Sequence, residues 1–435
     1  MDLMRKARAL LLAGLIFALP GIVLADSAAD ERPYSDALTG DFGGLRNSAR
    51  ASGVTLNGSY TGEIAASLSG GDRRTALYAQ QVEVEALLDM ERLAGIDAAR
   101  IQVTLNYRDG RSLTREVLHN QFPVQELYSY SQIVRLSQLN WLQHLADDHV
   151  IVQIGWSPVG NDFARLPGFC KFQNLVICGH AYAMTVNSGS LNGPISQWGA
   201  RIKVWPTDNF YINTGAYRNN INGDSTGGFD LSFDHDGNFY PLEFGWEHRE
   251  GPRFGSFALG AYYNTVDTRD VYYDVNRNSA GLTGLPFLTR GGRYGGYVMG
   301  ERVVHQPEPG NAAHTLSIFA IAGVGDKATA RFRRFANAGA LYQGPVTHRP
   351  NDFVSFLVAW AALNPGLNHY QRDRKQISPE SGSAQRWEAV IELDYGIQAT
   401  PWLLLQPNLQ YITQARDNED RSGALVLGLH FTVKL

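Results

Sequence analysis

The sequence predicts an all-β fold: a transmembrane antiparallel up-and-down β-barrel of about 16 strands, with a short N-terminal helix. Three observations predict it. From residue 425 to 435 every odd position is apolar, whereas the even positions include Gly, His, Thr and Lys. Similar period-two stretches recur along the chain, and short and long polar connections alternate between them. This pattern suits strands with lipid on one face and a wet lumen on the other.

One such strand alone is also compatible with a half-buried strand of a soluble sandwich. Composition narrows the choice. The chain has 435 residues, a formal net charge of -4 and 44% hydrophobic residues. Its mean hydropathy of -0.22 excludes a bundle of membrane helices but permits a barrel, in which half of each strand faces water. The charge leaves no strongly basic footprint, so we expect no nucleic-acid partner.

Residues 1–25 are predicted to be a secretory signal peptide. Arg5, Lys6 and Arg8 precede an apolar run over residues 9–24, and Ala25 ends a suitable cleavage site. Residues 26–53 are then predicted to form a periplasmic leader and a short helix. Residues 54–435 form the predicted barrel domain.

Sixteen strands are predicted, with fourteen or eighteen as alternatives. They cover residues 54–67, 78–90, 100–109, 130–142, 149–156, 194–205, 210–218, 240–248, 257–266, 293–303, 315–324, 336–346, 352–363, 386–397, 403–414 and 425–435. An even number places both ends of the barrel domain on the periplasmic side, with the longer loops outside. A barrel of this size leaves an aqueous channel.

Several stretches resemble the carbohydrate-selective porins of the OprB family. At the start these are Leu-Thr-Gly-Asp-Phe-Gly-Gly-Leu-Arg (residues 38–46) and Tyr-Thr-Gly-Glu (60–63). His-Arg-Pro-Asn-Asp (348–352), Glu-Leu-Asp-Tyr (392–395) and the run 402–412 follow. The departures are Phe42 where the family commonly has Trp, the Leu at 435, and residues 414–416 where a Pro-Gly element is usual.

The resemblance implies a channel in the outer membrane of a Gram-negative bacterium, surrounded by its lipid. It implies facilitated diffusion of small neutral sugars of the glucose type, with no cofactor, by a monomer or a homotrimer. A general diffusion porin without sugar preference is the alternative. An outer-membrane barrel enzyme and a purely structural barrel are further alternatives, and we expect no enzymatic activity.

Strand phase places a set of polar residues in the lumen. A sugar channel needs hydrogen-bonding side chains at a constriction, and Arg and carboxylates can each bind several hydroxyls. The predicted lumen residues are Glu83, Glu85, Arg108, Arg201 and Glu243, with Lys203, Glu392, Gln406, Asn408 and Gln410. Each could instead be an ordinary wetted wall residue.

The third outer loop, residues 157–193, is the longest predicted connection, and loops of this length are often functional. We expect it to fold inward with Asn161, Asp162, Phe163 and Arg165 near the opening; the alternative is a loop that caps the rim. Cys170 and Cys178 lie in this loop and are predicted to form a disulfide, with free thiols as the alternative.

Residues 232–243 loosely resemble a calcium-binding loop, with Asp234, Asp236 and Glu243. Ser232 occupies the first position and Glu243 falls in a predicted strand, so a polar hairpin turn is favoured and no metal site is predicted. His235 between two aspartates is the nearest approach to a catalytic set, but consecutive residues cannot converge as a triad.

Overall fold

The computed structural model of the chain describes residues 33–127, 133–190, 193–219, 227–233, 236–248, 255–307, 313–416 and 423–435. The predicted signal peptide, Asp234 and His235 lie outside these residues, so the predictions made for them stay predictions.

The described residues form sixteen strands in one closed antiparallel barrel, which confirms the predicted fold class. Each strand pairs with its neighbours in sequence, and β1 pairs with β16 to close the barrel. The strands are β1 Val54–Ser69, β2 Ala76–Asp89, β3 Ala99–Gly110, β4 Val134–Leu145, β5 Val150–Ser157, β6 Gln197–Val204, β7 Phe210–Asn219, β8 Gly237–His248, β9 Gly255–Asp274, β10 Phe287–His305, β11 Thr315–Gly325, β12 Phe332–Gln343, β13 Phe353–Leu363, β14 Gln385–Thr400, β15 Leu403–Arg416 and β16 Ala424–Lys434.

The outer face of the barrel is apolar and the inner face is polar, as the alternation predicts. On β16, Leu427 is 49% exposed on the outer face, whereas its neighbour Val426 is fully buried inside. The same contrast holds on other strands, where the exposed large residues include Val84, Ile154, Ile202, Leu242, Phe244, Leu259, Ile318, Phe356, Val358, Ile391, Leu393 and Leu409. This surface suits contact with hydrocarbon.

Five short α-helices occur in the described residues: α1 Leu45–Ala51, α2 Met90–Ala94, α3 Tyr182–Ser188, α4 Ala280–Thr283 and α5 Pro365–Ile377. The first is the helix predicted before the barrel. Within the described ranges, none of these helices is long and apolar enough to cross a membrane.

Two long connections lie at the outer end of the barrel. We call residues 111–133, between β3 and β4, loop L2, and residues 158–196, between β5 and β6, loop L3. Turns at the opposite, periplasmic end are short: β4 and β5 are joined by residues 146–149, and β14 and β15 by residues 401–402. The long loops therefore have the length to reach into the barrel from the outside.

The hairpin of β9 and β10 corrects one predicted boundary. Residues 267–292 were expected to form a loop, yet β9 runs to Asp274 and β10 starts at Phe287. Both strands extend beyond the neighbouring wall, and an ion pair of 2.7 Å joins Arg290 to Asp270 across them. Charged, aromatic and apolar residues follow one another there without alternation, so the period-two signal disappears.

At several positions in the barrel, an aromatic residue on one strand lies directly opposite a glycine on the adjacent strand. A side chain at each of these glycines would collide with the ring of its partner in the register. The pairs are Gly62–Phe431, Gly199–Tyr217, Gly245–Tyr211, Gly260–Tyr297, Gly295–Tyr262, Gly323–Phe335, Gly339–Phe319 and Gly396–Phe353. Such rings cover bare backbone and help to fix strand register.

Gly245→Ala is therefore expected to destabilise the barrel and disturb the lumen. The new methyl group displaces the ring of Tyr211, which donates a hydrogen bond of 2.9 Å to Glu243. Overpacking of this kind costs about 1–3 kcal/mol. A lower melting temperature, read from the loss of heat-modifiable migration on gels, checks this; Gly227→Ala, at an open position, is the control. Equal melting of the two variants would contradict the packing role.

The N-terminal segment is fastened to the barrel by Arg46. Its guanidinium group donates to the carbonyl oxygens of Leu435 at 3.1 Å and Leu56 at 2.6 Å, and lies 4.0 Å from the ring centre of Tyr34. The backbone N–H of Leu435 donates to the carbonyl of Gly58 at 2.8 Å. Arg46 thus joins the predicted short helix to both strands that close the barrel.

Candidate functional site: a lumen crossed by two loops

L3 lies inside the barrel and is held by glutamates of the wall. The backbone N–H of Ala164 donates to Glu243 on β8 at 3.0 Å, and that of Gly168 donates to Glu301 on β10 at 3.0 Å. Further along, Gln173 donates its backbone N–H to Glu392 on β14 at 2.9 Å. L3 therefore crosses the lumen and reaches strands far from its own, as the inward prediction requires.

L2 is held in the same way. The backbone N–H groups of Gln121 and Phe122 donate to Glu388 on β14 at 2.8 to 2.9 Å. The N–H of Leu127 donates to Glu63 on β1 at 3.1 Å. Hydrogen bonds from backbone N–H to carboxylates are stronger than those between neutral groups, so five wall glutamates position the two loops.

The loops also bring an apolar core into the lumen. The rings of Phe169 and Phe172 lie 5.5 Å and 5.8 Å from the ring of Phe319 on β11, and the ring of Phe122 stacks on Phe332 at 5.6 Å. Phe122, Phe169 and Phe332 are fully buried. The loops are packed against the wall like a domain core, which leaves a smaller passage than an empty barrel would have.

The structure brings five of the predicted site residues together at the start of L3. Asp162 forms an ion pair of 3.4 Å with Arg201 on β6, and both side chains are largely buried. Glu243 accepts hydrogen bonds from the hydroxyl groups of Tyr211 and Tyr297 as well as from Ala164. Asn161 and Arg165 are exposed, and Arg165 donates to the carbonyl of Asn161 at 3.4 Å.

Glu83, Glu85 and Arg108 form a second group on β2 and β3. All three face the lumen and are partly exposed. Glu85 accepts hydrogen bonds from Asn57 at 3.1 Å and Gln102 at 2.6 Å, and Arg108 donates to Gln81 at 2.6 Å. The remaining predicted lumen residues also face inward. Lys203 lies 4.0 Å from the ring centre of Tyr211, and Gln406, Asn408 and Gln410 are buried against L2 and L3.

The predicted disulfide is not formed. Cys170 and Cys178 are free thiols in the structure. Cys170 is exposed at the end of a 3-10 helical turn. Burial, and secondarily the neighbouring carboxylate of Glu126, raises the pKa of the Cys178 thiol. The order of L3 comes instead from the wall glutamates and the aromatic contacts.

Glu243 cannot serve an outer calcium loop in this arrangement, because its carboxylate points into the lumen and is occupied by two tyrosines and Ala164. Sequence reasoning missed Glu63, Glu301 and Glu388 as residues that position the loops. Glutamates on the inner face of β14 were a signal, since Glu388 and Glu392 are an even number of residues apart. Their loop partners left no such signal.

The buried side chain of His180 in L3 should make the free energy of unfolding depend on pH. Burial, and secondarily Arg165, lowers its pKa to about 4. A histidine whose pKa is lowered by folding stabilises the folded state at pH values above 6.5, its pKa in the unfolded chain. This contribution to the free energy of unfolding is lost as the pH falls towards 4. The loss amounts to about 3 kcal/mol, since one pKa unit is worth about 1.4 kcal/mol.

We therefore expect His180→Gln to flatten the decrease in the free energy of unfolding between pH 6.5 and 4. Denaturant titrations of both proteins at matched pH values measure this, and their difference isolates His180 from the other titrating groups. Parallel profiles would contradict a buried neutral His180.

The fold and lumen define the class of protein: a barrel with an apolar outer face, a polar interior and inward loops is an outer-membrane porin. The sequence model of the carbohydrate-selective porin family, OprB, matches residues 73–435, and the chain belongs to this family. It is an outer-membrane carbohydrate porin, and both the family and the fold indicate a channel rather than an enzyme.

Individual relatives agree. Porin B of Pseudomonas aeruginosa is 34% identical over 96% of this chain and 96% of its own length. A putative porin, QuiX, of Acinetobacter baylyi is 28% identical over 90% of this chain and 91% of its own. The high-pH structure of Pseudomonas putida OprB superposes with a TM-score of 0.86 at 32% identity, covering 93% of this chain and 99% of that one.

Proposed function

We propose that small neutral sugars diffuse passively through the space that L2 and L3 leave along the β2 and β3 side of the lumen. The observation that carries this proposal is an asymmetry of the wall. Glu63, Glu388 and Glu392 are fully buried under the loops, whereas Glu83, Glu85 and Arg108 are partly exposed. The exposed polar groups are thus the ones available to a solute.

The chemistry of this surface suits hydroxyl-rich solutes. Arg108 offers several N–H donors in a fixed plane, and Glu83 and Glu85 beside it offer acceptors, so one sugar ring can be bound at several hydroxyls. Arg165 offers further donors at the start of L3. A neutral sugar needs no net charge in the passage. Transport follows the solute gradient, and no catalytic step is part of the proposal.

Each chain would form a complete channel, whether monomeric or homotrimeric, because β1 pairs with β16 of the same chain and both loops fill their own barrel. Light scattering of the detergent-solubilised protein gives the number of chains. We expect each inserted particle to show one conductance step per chain, with all steps of equal size.

Single-channel conductance in a planar bilayer, titrated with glucose, tests the route. We expect conductance to fall in a saturable way with glucose, and Arg108→Ala and Arg165→Ala each to weaken the apparent affinity about tenfold or more, because a lost hydrogen bond to a charged group costs about 1.5–3 kcal/mol. Arg302→Ala, on the outer face of β10, is the matched control. An open channel without sugar block would favour the general diffusion porin, and unchanged affinity in both lumen variants would refute the proposed route.

A further inference from the structure

A histidine and two carboxylates meet where the barrel closes. Glu63 on β1 and His430 on β16 are direct partners across the closing pair of strands, and both side chains face the lumen. Glu126, at the inner end of the described part of L2, completes the group. One potential ligand atom from each of the three residues lies within 4.8 Å of the others.

The spacing within this group suits a metal better than a direct contact. Nδ1 of His430 lies 3.4 Å from Oε1 of Glu63, which is long for a hydrogen bond to a carboxylate. Two ligands bonded at about 2.1 Å to a tetrahedral zinc ion lie about 3.4 Å apart. The ligand atom of Glu126 lies within 4.8 Å of the other two, so this partly exposed side chain would move closer to complete the ligand set.

The surroundings of His430 support the same interpretation. Its Nε2 lies 3.2 Å from the hydroxyl group of Thr432. When Nε2 carries the proton and donates to this hydroxyl, the lone pair of Nδ1 faces the carboxylate of Glu63. Histidine ligands are commonly oriented by such a hydrogen bond from the second ring nitrogen. A cation between Nδ1 and Oε1 would separate two groups that otherwise face each other as acceptors.

We propose that Glu63, Glu126 and His430 form a binding site for zinc or a similar borderline-soft divalent ion. This goes beyond sugar passage. The imidazole of His430 favours zinc over magnesium or calcium, which prefer ligand sets made of oxygen alone. Arg108 also acts electrostatically on Glu63 and Glu126 and competes with a bound cation, so we expect micromolar affinity.

A bound ion would connect three parts of the chain that otherwise meet only through side-chain and backbone hydrogen bonds at this point: β1, β16 and L2. Because an ion that binds only the folded state stabilises it by mass action, zinc at about 100 times its Kd should lower the unfolding equilibrium constant roughly hundredfold. The site therefore predicts that zinc fastens L2 to the seam of the barrel.

Calorimetric titration of ZnCl₂ into the refolded, untagged full chain tests the site. We expect one ion per chain, with Kd raised at least tenfold by His430→Asn and by Glu126→Gln. Glu126 lies outside the strands, so its variant keeps the proposal testable if the His430 variant folds poorly. His119→Asn is the matched control, because His119 pairs with the single carboxylate of Asp72 at 2.7 Å on the exposed surface.

Absence of zinc binding would overturn the proposal. So would equal binding by the wild type, His430→Asn and Glu126→Gln, since it would show that surface groups hold the ion. Glucose block of the conductance, measured without zinc, tests the proposed sugar route separately, so failure of one idea is distinguishable from failure of the other.

Discussion

Replacing residues 163–188 with a short Gly-Ser linker is expected to raise the single-channel conductance several-fold and to abolish saturable glucose block. This segment fills the lumen with buried groups, including Phe169, Phe172 and Ile177. Its removal leaves a barrel of sixteen strands with a much wider aqueous interior. The deleted segment also includes Arg165, so the sugar loses a proposed ligand as well as a narrow passage.

The barrel itself should survive this change, because strand pairing does not involve the deleted residues and the uncovered wall glutamates become hydrated. Circular dichroism and heat-modifiable migration report folding. A matched replacement of residues 275–285, in the connection between β9 and β10, is the control. Among the described residues, these pack against α5 and not against L3, so the conductance should stay unchanged. An unaltered conductance after deletion of residues 163–188 would mean that L3 does not restrict the pore.

Glu392→Ala is expected to loosen L3 without removing it. The carboxylate of Glu392 is fully buried and accepts the backbone N–H groups of Gln173 and Asn174 at 2.9 to 3.2 Å. Leaving buried donors without a partner costs about 1–3 kcal/mol, so the equilibrium between seated and released loop shifts roughly 5- to 150-fold towards release.

Single-channel recordings should show this as frequent transitions to a higher conductance. Glu392→Gln retains a carbonyl acceptor and should lie between the wild type and the Ala variant. Glu247→Ala, near Tyr211 at the periplasmic end of β8, is a buried control. Recordings from Glu392→Ala without added openings would show that this carboxylate does not hold the loop.

The sequence predicted the wall better than its contents. Alternation is imposed on every strand by lipid outside and water inside, so each of the sixteen predicted strands has a counterpart. The prediction from alternation failed where that contrast ends, in the outer part of β9 and β10. This part contains the ion pair of Asp270 and Arg290. The predicted strand ends therefore fall where the alternation ends, and the sequence pattern has no signal for strand residues beyond that point.

The site was predictable only in part, for a different reason. Strand phase placed Glu83, Arg108 and Glu392 in the lumen, and length indicated an inward loop. Which loop residue meets which wall residue depends on contacts between distant positions: Ala164 and Glu243 are 79 residues apart, and Gln173 and Glu392 are 219. The two cysteines suggested a disulfide because an exported protein folds in an oxidising compartment. In the structure, wall carboxylates hold the loop instead.

The contact between Arg46 and Leu435 has a consequence for the order of assembly. Its two residues are 389 positions apart, so it forms only when the strands between them are in place. Closing so long a stretch of chain is slow, because the entropy of the chain must be lost before the contact is gained. Until then β1 and β16 present unpaired edges, which a bilayer cannot satisfy. The Arg46 contact therefore forms late in folding, when β1 and β16 pair, and stabilises the closed barrel. An Arg46→Ala chain should accumulate as a species with an open barrel before it folds completely.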